Sequence, residues 1–411
     1  MNAAQKIMQR IETLAKISEE PGIITRTFAS PAMRRANVLV EKWMRQAGMN
    51  TRVDAMGNLA GRHPGDNPNA KTLLLGSHLD TVRNAGKFDG PLGVILAIAC
   101  VEHLRRRRIR LPFAIEILAF SDEEGVRYQT AYLGSKAMAG GLAASDLKRE
   151  DAKGITMAEA IKSLGSDPRK LKSARLNPKE LLGYVEAHIE QGPVLEEQDL
   201  AVGIVTGFAG QSRARAVFSG QAGHAGTVPM KSRQDALCAA AEFVLAVEKL
   251  ARKTNGLVAT VGQISARPGA SNVIPGEAHL TLDVRHAKDA IRRRANNQLR
   301  QAALEIASRR GLRLALENVH DTPAMDCSKK LSARLAISVG RHQKRILRLP
   351  SGAGHDAAVM AKITPAAMLF IRCKGGVSHH PDESATAEDV QAALEVLNDF
   401  ILRLAKTHEQ T

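Results

Sequence analysis

Apolar residues run almost unbroken through "TLLLGSH" (72–78), "FAIEILAFSDEE" (113–124) and "LLGYVEAHIEQG" (181–192), and each run closes on ionisable residues. Strands buried on both faces read this way, and the helical stretch "PLGVILAIACVEHL" (91–104) between the first two makes the pattern α/β with a mixed, mostly parallel sheet and flanking helices. Sites in such sheets lie beyond the carboxyl ends of the strands. His78 and Asp80, then Asp122, Glu123 and Glu124, then His188 and Glu190 are therefore expected on one rim.

From about residue 209 the pattern changes. "SRARAVFSG", "GLVATVGQISA", "AHLTLDVRH" and "LRLALENVH" read as strands, and "SRQDALCAAAEFVLAVEKLARK" and "AIRRRANNQLRQAALEIASRRG" as helices between them. Strand, helix, strand, strand, helix, strand is the ferredoxin-like α+β order. It predicts an inserted domain at 209–325. The segment from 326 to 411 resumes the α/β pattern, so 1–208 and 326–411 are assigned to one catalytic domain.

A chain of 411 residues with 44% hydrophobic content suits two ordinary globular cores. No apolar stretch reaches the roughly 18 residues of a membrane helix, and the N-terminus lacks a signal-type apolar core. Cys100, Cys238, Cys327 and Cys373 lie far apart without metal-type spacing, which predicts reduced thiols and a cytoplasmic protein. The net charge of +16 raises the question of a polyanion partner. "RRRR" at 105–108 instead ends a predicted helix, where cations suit the dipole, and no aromatics interleave with it. The reading is no nucleic acid, no membrane, and a basic surface that can attract a small carboxylate.

On a strand, residues two apart face the same way, so His78 and Asp80 emerge together. One can bind a metal while the other orients it, and Asp80 can equally support another ligand. Asp89 follows between Gly86 and Gly90. Adjacent Glu123 and Glu124 repel unless a cation intervenes, and then one can coordinate while the other acts as general base toward water. With His188 and with His379 in "GGVSHHPDE", the set His78, Asp89, Glu124, His188 and His379 offers five N/O ligands. That suits two divalent ions sharing a carboxylate, zinc or manganese alike, in a hydrolytic centre without thiolates.

The ordered motifs "GSHLDT", "GKFDGPLGV", "SDEEGVRY", "EAHIEQGPVLE", "GHAGTVPM", "SNVIPG", "DVRH", "SGAGHDA" and "GVSHHPDE" resemble the M20 dizinc peptidase-like superfamily over about residues 20–405. Within it they are similar to the branch of allantoate amidohydrolases, N-carbamoyl-L-amino acid hydrolases and β-ureidopropionases, which carries "EQGPVLE". The resemblance implies His78, bridging Asp89, Glu124, His188 and His379 as ligands of two Mn2+ or Zn2+ ions, Asp80 as the supporting acid and Glu123 as general base. It implies that the inserted domain is a lid and dimerisation domain of a homodimer, and that His224 is an oxyanion stabiliser supplied to the partner subunit's site when the lid closes. Gln191, Arg213, Asn272 and Arg285 would contact a ureido carboxylate substrate, with Gly354 and His355 in a nearby glycine loop. Arg372 and Cys373 before the Gly-Gly loop look most like allantoate amidohydrolases, with release of ammonia and carbon dioxide and formation of ureidoglycine. N-carbamoyl-L-amino acid hydrolase or β-ureidopropionase is the alternative.

Overall fold

The computed structural model describes residues 2–408. The chain folds into two units, one of Met1–Thr206, Cys327–Leu349 and Gly354–Thr411, the other of Gly207–Asp326 with Pro350–Ala353.

In the first unit the strands Asn50–Val53, Leu59–His63, Ala114–Phe120, Thr72–His78, Leu181–Ile189, Ala366–Ile371 and Val202–Phe208 lie side by side in that order. The four central strands are mutually parallel, and the outer ones are antiparallel. From Thr72–His78 the chain moves to one neighbour, Ala114–Phe120, and only later reaches the other, Leu181–Ile189. The connection therefore reverses direction at the strand that ends in His78, the place where open α/β sheets bind ligands. Thr72–His78 and Ala114–Phe120 are buried along their whole length, as continuous apolar runs require.

The helix Pro91–Arg106 begins with proline at its first turn, where no backbone donor is lost. It buries Leu92, Val94, Ile95, Leu96, Ile98, Val101 and Leu104, each contributing about 1.5–3 kcal/mol. Its last turn holds Arg105 and Arg106, and Arg105 Nη1 donates to the Gln46 carbonyl at 2.9 Å. These arginines cap and brace a helix, as their position predicts. No helix among the described residues is long and apolar enough to cross a membrane, and all four cysteines are free thiols.

The second unit has a four-stranded antiparallel sheet in the order Arg313–Thr322, Gly210–Ser219, Glu277–His286, Val258–Arg267. Glu277–His286 alternates half-buried and buried residues without a break. Its buried side packs with Ala239, Phe243 and Val247 of the helix Ala236–Lys253 and with Ala295, Leu299 and Ala303 of the helix Asp289–Arg309. A separate two-stranded ribbon pairs Gly223–His224 with Val273–Ile274.

Candidate metal centre

The parallel strands deliver their carboxyl ends together. His78 is the last residue of its strand and His188 the penultimate of its own, and both are buried. Their rings lie 5.7 Å apart, nearly stacked. Asp89 arrives from the turn that precedes the buried helix. Gly90 permits this: its φ is +81°, and a Cβ there would lie within 2.5–2.6 Å of the His78 ring.

Asp89 presents its two oxygens to two different groups. Oδ1 lies 3.0 Å from His188 Nε2 and 3.5 Å from His78 Nε2. Oδ2 lies 3.1 Å from His379 Nε2, which in turn is 3.5 Å from Glu124 Oε1. The His78, Asp89, His188 set and the Asp89, Glu124, His379 set are each close enough to hold an ion.

The chemistry of the first set asks for a cation. His78 Nδ1 faces the Asp80 carbonyl at 3.0 Å and His188 Nδ1 the Ile189 carbonyl at 2.9 Å, so each ring carries its proton on Nδ1. Each Nε2 then turns a lone pair toward a carboxylate oxygen, and the short His188 contact is misaligned for a hydrogen bond. Without an ion only protonation relieves this. Burial lowers the His78 and His188 pKa values, but Asp80 and Asp89 for the first, and Asp89 for the second, raise both above the ordinary value. Asp89, which burial pushes up, is held well below the carboxylate range by contacts with His188, His379 and His78.

Asp80 serves the acidic turn rather than one histidine alone. Its Oδ1 accepts from Glu123 N at 2.9 Å and its Oδ2 from Glu124 N at 3.1 Å, while Oδ1 also lies 3.4 Å from His78 Nδ1. Glu123 is buried beside His78 and Glu124. Burial first, then the charges of Glu124, Asp356 and Asp80 against that of His78, raise the Glu123 pKa well above its usual value. Glu124 is pushed up to about 7 by burial and then Asp89. His379 is drawn up to about 9, chiefly by Asp89.

Gln191, at φ +58°, donates from Nε2 to Asp89 Oδ2 at 2.9 Å and to Ser378 Oγ at 3.2 Å. Its Oε1 is buried without a hydrogen-bond partner. Gly354 passes so close to Tyr132 Oη that a side chain there would require Tyr132 to move. His355, read from the sequence as a loop residue near substrate, is 1% exposed and packs edge-on against His188 at 4.5 Å between centroids. Burial and then the His188 charge hold its pKa well below normal.

Two supporting acids escaped the sequence reading. Glu383 Oε1 accepts from Phe88 N at 2.8 Å and Asp89 N at 3.0 Å, and its Oε2 lies 3.0 Å from Ser378 Oγ. Glu186 accepts from Ser77 Oγ at 2.8 Å, Tyr184 Oη at 3.1 Å and Ala357 N at 2.9 Å. These bonds engage both Glu186 oxygens, so the grouping of Glu186 with His188 and His355 is a brace and not a further ion site. The available signals were the acid that closes "SHHPDE" and a charge two residues before His188 on a buried strand. Glu190 instead caps the turn at Val194 and Leu195, accepting from both backbone amides. Arg372 is held by Asp389 and Asp199, and Cys373 is buried under the Gln191–Gly192 turn.

His224, Asn272, Arg213 and Arg285 belong to the second unit. His224 pairs with Val273 on the ribbon, and Ala225 N donates to the Asn272 carbonyl at 2.9 Å. Arg213 Nε and Arg285 Nε converge on Asp283 at 3.0 and 2.8 Å. One carboxylate thus anchors two guanidiniums and leaves net positive charge.

A model of peptidase family M20/M25/M40 matches residues 74–403. Allantoate deiminase 1 of Glycine max is 41% identical over 93% of this chain and 86% of its own length. N-carbamoyl-L-amino acid amidohydrolase of Geobacillus stearothermophilus is 41% identical over 99% of this chain and 100% of its own. A crystal structure of a hydantoinase/carbamoylase family amidase from Burkholderia multivorans superposes with a TM-score of 0.92 at 32% identity, covering 98% of both chains.

Proposed function

The chain belongs to peptidase family M20/M25/M40 as a metal-dependent amidohydrolase acting on non-peptide C–N bonds, and on that premise we propose that it hydrolyses a ureido group of allantoate. One water is consumed, and ureidoglycine, ammonia and carbon dioxide are the products. The observation that carries the hydrolytic site is Asp89, whose two oxygens face two ligand sets beside a buried Glu123.

In this reading His78, His188 and Asp89 would hold one divalent ion, and Glu124, His379 and Asp89 a second, each Mn2+ or Zn2+. When bound, such ions supply Lewis acidity that acidifies water and polarises a carbonyl. Glu123, kept basic by its raised pKa, takes the proton from the attacking water and returns it to the departing nitrogen. Asp80 holds both glutamates in register through their backbone amides. Gln191 Oε1, buried and unpartnered, accepts from the ureido NH2. Arg213, Arg285 and Asn272 take the substrate carboxylate, with Asp283 keeping the guanidinium forks oriented. His224 donates to the developing oxyanion of the partner subunit in a homodimer formed through the second unit, and the Gly354–His355 loop lines the ligand set.

The second reading, N-carbamoyl-L-amino acid hydrolysis, is favoured by the bacterial carbamoylase relative, which matches this chain over its entire length. The Arg372–Cys373 pair supports the leading choice only as a family mark, because both residues serve packing. Steady-state kcat/KM on allantoate, N-carbamoyl-L-amino acids and 3-ureidopropionate separates the readings. Allantoate should be the best substrate; no turnover of it removes the first choice.

A further inference from the structure

In the second unit, residues 221 to 234 leave and rejoin the fold at one point, where Gln221 N donates to the Gln234 carbonyl at 3.1 Å. Within this loop Thr227 N and Val228 N donate to the His224 carbonyl at 3.4 and 3.2 Å. Gly226 N donates to His224 Nδ1 at 3.1 Å. A ring nitrogen that accepts an amide hydrogen offers a lone pair there, so the neutral His224 ring carries its proton on Nε2. The side chain belongs to an exposed residue, and its free end is a donor.

Arg233 stands at the base of the same loop and turns back into it. Its Nε donates to the Val228 carbonyl at 3.0 Å and its Nη2 to the Ala225 carbonyl. One planar guanidinium therefore clasps both arms of the turn that carries His224 and Gly226. The approach of the Gly226 amide to the ring also depends on glycine, since a Cβ there would lie 3.2 Å from His224 Cε1 and 3.5 Å from Nδ1.

We propose that Arg233 is a positioning residue: by holding the Ala225 and Val228 carbonyls it keeps the Gly226 amide on His224 Nδ1 and presents His224 as an Nε2–H donor to the oxyanion. This rests on the reading of His224 given under the proposed function. A ring free to exchange tautomers would offer a lone pair to a negative oxygen in part of its population. The clasp removes that population before substrate arrives.

The test is steady-state kinetics with metal analysis on the full-length enzyme carrying Arg233→Ala, His224→Ala, or both, using whichever ureido substrate it hydrolyses. His224→Ala should lower kcat by about 10²–10³. Arg233→Ala should lower kcat by about tenfold or more at unchanged KM and metal content. In the His224→Ala background it should add nothing beyond about twofold, because residues that act as a unit are not additive. Wild-type kcat in Arg233→Ala, or the same loss in both backgrounds, overturns the proposal. Wild-type kcat in His224→Ala instead removes the reading of His224 and the proposal with it. Gly226→Ala crowds the ring while leaving Arg233 in place, so it serves if Arg233→Ala does not fold. It should reproduce the kcat loss only when His224 is present, and unchanged kcat counts against the clasp. In 15N-histidine NMR, the signal missing from His224→Ala should be an Nε2–H tautomer in the wild type, and an Nδ1–H tautomer overturns the proposal.

Discussion

His78 and His188 meet Asp89 Oδ1 from adjacent strand ends, with side chains 2% and 1% exposed, whereas His379 meets Oδ2 from a loop and is 48% exposed. The inner pair have their Nδ1 hydrogens committed to backbone carbonyls, so ring orientation and tautomer are settled by the sheet itself. The outer set is assembled from His379, held at φ +57°, and Glu124, whose turn is clamped by Asp80. Oδ2 is moreover shared with donors from Gln191 and Ser378. The difference teaches that one half of the centre is built into the fold while the other is attached to it, and that exchange should begin in the second.

The largest expected effect removes what the halves share. Asp89→Ala should abolish turnover and leave the purified protein without bound ions by elemental analysis; retention of both ions would show that the oxygens of Asp89 do not join the two sets. Next comes Glu123→Gln, which should cost about 10²–10⁴ in kcat while metal content holds, as befits a base that is not a ligand. Parallel loss of metal would exchange the roles of Glu123 and Glu124. His379→Ala should keep about one ion per chain with little activity, and His188→Ala should lose the more tightly held one, reflecting the stoichiometry of a shared two-ion site. Equal retention in both variants would erase the contrast.

The smallest effect is a slope. Protons compete with an ion for its ligands; contact with Asp89 has drawn His379 up to about 9, and burial has pushed Glu124 up to about 7. Between pH 9 and 7 one proton must leave His379, so apparent outer-site affinity should fall about tenfold per unit as pH drops. Below 7 Glu124 binds a second proton, and the fall should steepen toward about a hundredfold per unit. Chelator competition at pH 6, 7 and 8 reads this directly, and a flat profile would mean that these groups do not bind the ion.

Much of the inner half was legible because continuous apolar strands end in His78 and His188, and topology alone aligns such ends. The four-stranded sheet was legible for the opposite reason, the strict alternation in Glu277–His286. The short strands Asn50–Val53 and Leu59–His63 and the supporting acids were not, since Glu383 and Glu186 gain their meaning only from partners brought by tertiary packing. The packing of His355 on His188 was not legible, because "SGAGHDA" carries turn residues and burial against His188 leaves no trace in local pattern. Arg372 and Cys373 were placed in the sequence only by resemblance, and the fold engages them in ion pairs with Asp199 and Asp389 and in packing under the Gly192 turn.

Glu383 donates nothing to catalysis directly, yet its bonds to Phe88 and Asp89 join positions 295 and 294 residues apart. During synthesis, which orders N-terminal regions first, the early segment can fold around His78 and Asp89 long before its closing partner exists. A nascent or interrupted chain would present half a cage to the cell's metal pool. Completion of the set that needs His379 is then a late event in the life of each molecule, since that residue and the Glu383 brace come only with the last stretch of chain.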